Sequence, residues 1–445
     1  MKKNLLLVAI LAVSLGFGQN ASAQYYKDLF MDGGINITSR VDLPSARYLG
    51  ISWERYYSAP HNPMSITLKD TLEQTALMVR SEIDQNGCLL YPDGAPRFRV
   101  IYVNGGKAGK HGKSLTEEGR QHIRDFVKNG GSYVGTCAGA FVASIADSRY
   151  NPAEGRCVEA DREKVRSDYF GVYPARTIST KSLNKEYTGM KVEPGSPLLK
   201  YFDFGGDMYI DSVYHNGGCF ITTDPLHFAP GTEILLRYDY DPVKDQKRED
   251  KGSFKVTGHI SAWAWKEAPE TGRTVLCGSH PEGVVAGERL QLFSAFVLYA
   301  MDGNGTPRVK GELKNGEPRV MDKMTDDNDP AFARLGDKQY HHFTVNIPKG
   351  AKNIKIALQG GFSQDDLFLT LRKGDFAFAK EADYADVTLG AVKTMEFDTL
   401  PAGTWYVGVK CDTTVDTVQT DHGEAYTGHL EVLNGVPYTL TVSWE

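Results

Sequence analysis

The chain has 445 residues, 41% of them hydrophobic, with 50 basic against 56 acidic side chains and a formal charge of −6. That length fits two or three domains with real apolar cores, and the mild acidity argues against a nucleic-acid partner, which would need a basic face. Six cysteines, at positions 88, 137, 157, 219, 277 and 411, show neither dense spacing nor a C-x-x-C pair, so neither a disulfide scaffold nor a zinc site is expected.

In chain order, Lys2 and Lys3 precede an apolar run over 5–17 and the small-x-small tripeptide Ala21-Ser22-Ala23. This is the pattern of a secretory signal peptide over residues 1–23, too short for a membrane span and not followed by a lipid-accepting cysteine. No later stretch approaches about 18 consecutive apolar residues, so no transmembrane segment is expected. The protein is read as exported, either periplasmic or secreted.

Alternating patterns follow: a strand over 47–53, a helix over 67–85, a strand over 98–103 and a helix over 116–128, the last opened by Ser114 with Glu117 three residues on. Such alternation predicts an α/β domain with a mostly parallel sheet. Residues 131–135 read as a buried strand and 138–145 as an apolar helix, which makes Cys137 the apex of Gly135-Thr136-Cys137-Ala138-Gly139. A nucleophile is placed at such an elbow because its backbone is strained and flanking glycines let strand and helix approach. The amide-rich end of the helix favours the thiolate.

A polar insertion over 151–197 is expected to fold over the pocket, and strands resume over 208–214, 233–238, 254–265 and 274–277. The tripeptide His280-Pro281-Glu282 comes next, then a helix over 288–300 with Leu292, Phe293, Phe296 and Val297 inward. Residues two apart in extended chain project to one side, so Glu282 can orient the His280 ring and leave its other nitrogen for sulfur. Strand ends of an open α/β sheet share one edge, where Cys137 and His280 would meet. Gly112-Lys113-Ser114 lacks the glycine spacing of a phosphate loop, and no metal or cofactor motif is found.

The stretch over 47–301 resembles a class I glutamine amidotransferase-like domain, closest to the N-terminal domain of biotin–protein ligases. The likeness is carried by Asn104-Gly105-Gly106, the elbow, Tyr169-Phe170-Gly171-Val172-Tyr173-Pro174 and Tyr214-His215-Asn216-Gly217-Gly218. It implies a flavodoxin-like sheet, a triad of Cys137, His280 and Glu282, and an oxyanion hole from the amides of Ala138 and the Gly105-Gly106 loop. It also makes Asn104, Phe141, Tyr214, His215 and Asn216 pocket candidates. Glutamine-hydrolysing members carry Gln where this chain has Phe141, which argues against free glutamine as substrate, and no ligase half follows.

Residues 304–334 are polar and read as a linker, so the first domain is expected over 24–303 and a second over 335–445. Short strands around 340–345, 354–358, 367–371 and 405–409 predict an all-β sandwich. This tail resembles the bacterial pre-peptidase C-terminal domain through Asp365-Asp366-Leu367-Phe368-Leu369 and Pro401-Ala402-Gly403-Thr404-Trp405-Tyr406. The resemblance implies folding, targeting or attachment to the cell surface. Asp365 and Asp366 are read as a solvated turn rather than a calcium site. The expected function is a cysteine-dependent amidohydrolase or acyl transferase acting on a small-molecule or peptide-like amide, peptide- or cell-wall-derived. The alternative is a non-catalytic binding protein that keeps the fold.

Overall fold

A computed structural model describes residues 27–32, 43–56, 74–75, 78–151, 156–158, 165–180, 183–251, 253–325, 329–420 and 423–445. The expected leader over 1–23 lies outside them. The first domain is built on a nine-stranded sheet. Its strands are Lys27–Asp32 (β1), Trp53–Tyr56 (β2), Phe98–Val103 (β3), Ser132–Thr136 (β4), Glu186–Val192 (β5), Tyr209–His215 (β6), Glu233–Asp239 (β7), Ile260–Lys266 (β8) and Arg273–Cys277 (β9). The spatial order is β6-β5-β7-β8-β9-β4-β3-β1-β2. Pairings from β9 through β4, β3 and β1 to β2 are parallel. Those from β9 through β8, β7 and β5 to β6 are antiparallel. The elbow lies on the parallel side.

Helices Thr116–Lys128 (α1) and Gly287–Met301 (α2) cover the sheet, and Leu292, Phe293, Phe296 and Val297 are fully buried. Strand β4 is buried at every position because parallel strands are covered on both faces. Three local expectations change. Residues 44–49 are helical, with Pro44 at the first turn and Gly50 closing it at φ +64°, so strand β2 starts only at Trp53. The helix expected over 67–85 is contradicted where the chain is described: Gln74–Thr75 is a strand and 78–85 are bends and turns. Ser114 ends a preceding helix, Ala108–Ser114, and donates to the His111 carbonyl at 2.6 Å instead of capping α1.

The C-terminal domain is a sandwich of a five-stranded and a four-stranded sheet. The 304–334 span is not a linker. Val309–Leu313 pairs parallel with Tyr340–Ile347, and Arg319–Met321 pairs antiparallel with Tyr438–Ser443. Each short strand sends one apolar side chain inward, Leu313 and Met321, while ladder hydrogen bonds do the rest, so a charge-rich composition hides it. Residues 326–328 of that span lie outside the described ones.

The two domains share a buried seam. One apolar cluster contains Met78, Leu89 and Phe98 together with Leu335, Phe343 and Tyr438. Arg97, 3% exposed, donates to Leu90 O at 2.7 Å, to Leu433 O at 3.0 Å and to Asp84 at 3.2 Å, with Asp337 at 3.9 Å. Burial opposes its charge, yet Asp84 and Asp337 push the guanidinium further toward the protonated form. Lys310 pairs with Asp93, and Gln74–Thr75 pairs with the strand Gly423–Gly428. Asp365 departs from the solvated turn expected of it: it is fully buried, neither carboxylate oxygen has a hydrogen-bond partner among the described residues, and burial pushes it up to about 6.

Candidate active site

Cys137 sits between β4 and the short helix Ala138–Ala143 (named here the elbow helix) at φ +48° and ψ −105°, a conformation that side chains rarely adopt. The neighbouring strands hold it there. Its amide donates to Cys277 O at 2.9 Å, and the Gly139 amide donates to Asn104 O at 3.1 Å. A Cβ on Gly139 would lie 1.9 Å from the Val103 carbonyl oxygen, so only glycine lets the elbow helix pack on β3. The helix ends at Ala143, less than two turns, which leaves less dipole at the sulfur than the expected 138–145 run.

His280 follows β9 and reaches the same edge. Its amide donates to Tyr214 O at 2.8 Å and its Nδ1 lies 2.8 Å from Glu282 Oε1. Burial disfavours the imidazolium, but the Glu282 carboxylate and then Cys137 outweigh it, and His280 is pushed up to about 11. Sulfur, imidazole and carboxylate thus stand at one edge of the sheet, with the carboxylate hydrogen-bonded to the ring. A Cβ on Gly105 would lie 2.1 Å from His280 Cε1, so the Asn104-Gly105-Gly106 loop packs directly on the ring.

The remaining sequence candidates divide. In the first turn of the elbow, Gly139, Ala140 and Phe141 donate to backbone carbonyls, while the Ala138 amide has no backbone acceptor among the described residues. Gly106 is exposed and held in an isolated β-bridge. Tyr214 lies beside the imidazole, with ring centroids 5.7 Å apart, and packs on the exposed Tyr187 of β5. Asn216 brings its carbonyl oxygen to 3.9 Å from Cys137 Sγ, while its side chain accepts from the Lys185 amide. Asn104 is buried beneath the loop, and Phe141 is half-buried against the core.

His215 is not a pocket wall. It is fully buried, with Nε2 2.7 Å from Thr180 Oγ1 and Nδ1 2.8 Å from Ser279 Oγ. Burial first, then the charge of His280, lowers it to about 3, so it stands neutral behind the site. Burial also pushes the neighbouring Cys277 thiol up to about 12 and Cys219 well above the ordinary range. Two residues that the sequence reading passed over belong to the cluster: Tyr102, beside Glu282, and Thr136, whose hydroxyl is 3.0 Å from that of Tyr102. Only their strand positions next to Asn104 and Cys137 could have flagged them.

Among the described residues, no group of three or more His, Cys, Asp or Glu could hold a metal ion, and no helix is long and apolar enough to cross a membrane. Residues 92–165 match the family model for the N-terminal region of biotin–protein ligase, and 339–410 match that of the bacterial pre-peptidase C-terminal domain. No curated protein matches the chain. Among solved structures, a glutamine amidotransferase is similar over 46% of this chain and 80% of its own, at 16% identity and TM-score 0.29. The glutaminase domain of Trypanosoma brucei CTPS with bound acivicin is similar over 64% and 96%, at 13% and 0.32. The pre-peptidase C-terminal domain of a collagenase from Bacillus anthracis is similar over 31% and 100%, at 15% and 0.19. The two family models thus match one stretch of the α/β region and one stretch of the β region.

Proposed function

We propose that the first domain is an exported cysteine amidohydrolase or acyl transferase acting on a peptide-like or cell-wall-derived amide. What supports this reading above all is the His280–Glu282 pair at the sheet edge that also carries Cys137 on its strained elbow, with His280 able to keep a proton across neutral pH. Cys137 attacks the amide carbonyl as thiolate, and the Ala138 amide, with the Gly105-Gly106 loop, takes the oxyanion. His280 gives its proton to the leaving nitrogen, which breaks the C–N bond and leaves a thioester. A water or acceptor amine, deprotonated by His280, then attacks the thioester and frees the sulfur. Glu282 keeps the ring turned toward the sulfur throughout.

Phe141, at the position where glutamine-hydrolysing relatives carry Gln, and the leader sequence both direct the reading away from free glutamine. Attachment through the C-terminal domain would hold the enzyme at the cell surface. The experiment is a screen of peptide and amino-sugar amides with wild type and Cys137→Ala in parallel. Release by wild type alone supports the reading, and equal release by both overturns it. An intact binding isotherm for an amide ligand with no turnover by wild type would favour the non-catalytic alternative.

A further inference from the structure

Glu282 uses Oε1 for His280 and keeps Oε2 buried, with no donor in bonding position among the described residues. A carboxylate oxygen sealed from water is costly unless a donor reaches it. The group beside it is the hydroxyl of Tyr102, a residue 1% exposed on β3 whose ring packs edge-on against Phe293 at 4.9 Å. Burial, and then the charge of Glu282, push that hydroxyl well above its ordinary range, so it keeps its proton and can donate. Its oxygen lies 3.0 Å from Thr136 Oγ1, and Thr136 directly precedes Cys137. If the Thr136 hydroxyl donates to the Tyr102 oxygen, the Tyr102 proton is left for Glu282. The groups then run from imidazole through carboxylate and phenol to the Thr136 hydroxyl, one peptide away from the sulfur.

We infer that Tyr102 is a positioning residue: steered by Thr136, it donates to Glu282 Oε2 and fixes the carboxylate against His280. The inference rests on the cysteine reading above and adds to it the group that sets the plane of the acid. Without the phenol, the orphaned oxygen draws Glu282 away from the ring or takes up a proton. Either way His280 loses the charge that keeps it protonated, and the sulfur loses its imidazolium partner.

The test needs no substrate. Iodoacetamide labelling of Cys137 in the full chain is followed by peptide mass spectrometry at about pH 6.5 and about pH 9.5, below and above the ordinary thiol range. Tyr102→Phe keeps the ring and removes the hydroxyl. Labelling at the lower pH is expected to fall roughly tenfold, the scale of one charge-assisted hydrogen bond, with less than about a twofold change at the higher pH. Thr136→Val is expected to move the same ratio in the same direction by less, and reports independently should Tyr102→Phe fold poorly. Equal losses at both pH values would mark a merely structural role and overturn the inference, as would a wild-type profile in both variants. A wild type whose Cys137 labels no faster than in denatured chain would instead overturn the cysteine reading, and this inference with it.

Discussion

Two buried polar clusters of this molecule can be set side by side, one around Arg97 at the seam and one around Cys137 and His280. At the seam each side-chain nitrogen of Arg97 faces a partner, from Leu90, Leu433 and Asp84 to Asp337, although Asp337 Oδ1 itself takes no hydrogen bond among the described residues. At Cys137 a sulfur sits on strained backbone, and Glu282 Oε2 lacks a bonded donor among the described residues. An orphaned carboxylate oxygen marks both clusters, and what sets the second apart is a sulfur held on strained backbone.

The sharpest way to break the comparison is at the seam. Arg97→Met leaves Asp84 and Asp337 buried without their cation, and the expected loss is about 3–5 kcal/mol in urea denaturation. A loss below about 1 kcal/mol would mean that the seam is no more than a surface pairing. At the second cluster, Glu282→Gln should cost less, about 1–2 kcal/mol at neutral pH. The folded-state value of His280, about 11, lies above its ordinary 6.5, so this stabilisation is complete below about pH 6.5 and lost as pH rises through about 11. Urea midpoints of wild type and variant should therefore converge at high pH, and a gap that persists there would rule out the ion pair as its source.

Asp365 is a third case, a buried acid whose carboxylate oxygens take no hydrogen bond among the described residues. Its raised carboxyl makes the ionised form a burden on the fold above about pH 6 and none below about pH 4, the ordinary carboxylate range. Asp365→Asn should thus raise the thermal midpoint at pH 8 and leave it unchanged at pH 3.5. The smallest effect is expected from proteolysis. Thr306 and Arg308 are exposed, so trypsin should nick there before it reaches Val309–Leu313 or Arg319–Met321, and the two fragments should still co-elute on size exclusion. Fragments that separate would show the seam to be weaker than the buried Arg97 contacts imply.

Features governed by local periodicity could be read from the sequence. Strands β3, β4 and β9 and helices α1 and α2 have continuous or periodic apolar runs, and the elbow announces itself through glycines whose Cβ positions are filled by neighbouring backbone. His280 and Glu282 were legible because two-residue spacing in extended chain needs no tertiary knowledge. What escaped depends on partners far away in sequence. Val309–Leu313 is a strand only because Tyr340–Ile347 offers it an edge, and His215 is structural only because Thr180 and Ser279 satisfy its ring. Tyr102 looks like any strand aromatic until Glu282 is folded against it.

Arg97 has one more consequence, which follows from where it stands. It is the residue immediately before β3, and the other end of that six-residue strand runs into the Asn104-Gly105-Gly106 loop that abuts His280. A strand of that length is a stiff rod of about 20 Å. A pull on the C-terminal domain would travel along this rod to the imidazole, so the domain seam and His280 are mechanically in series.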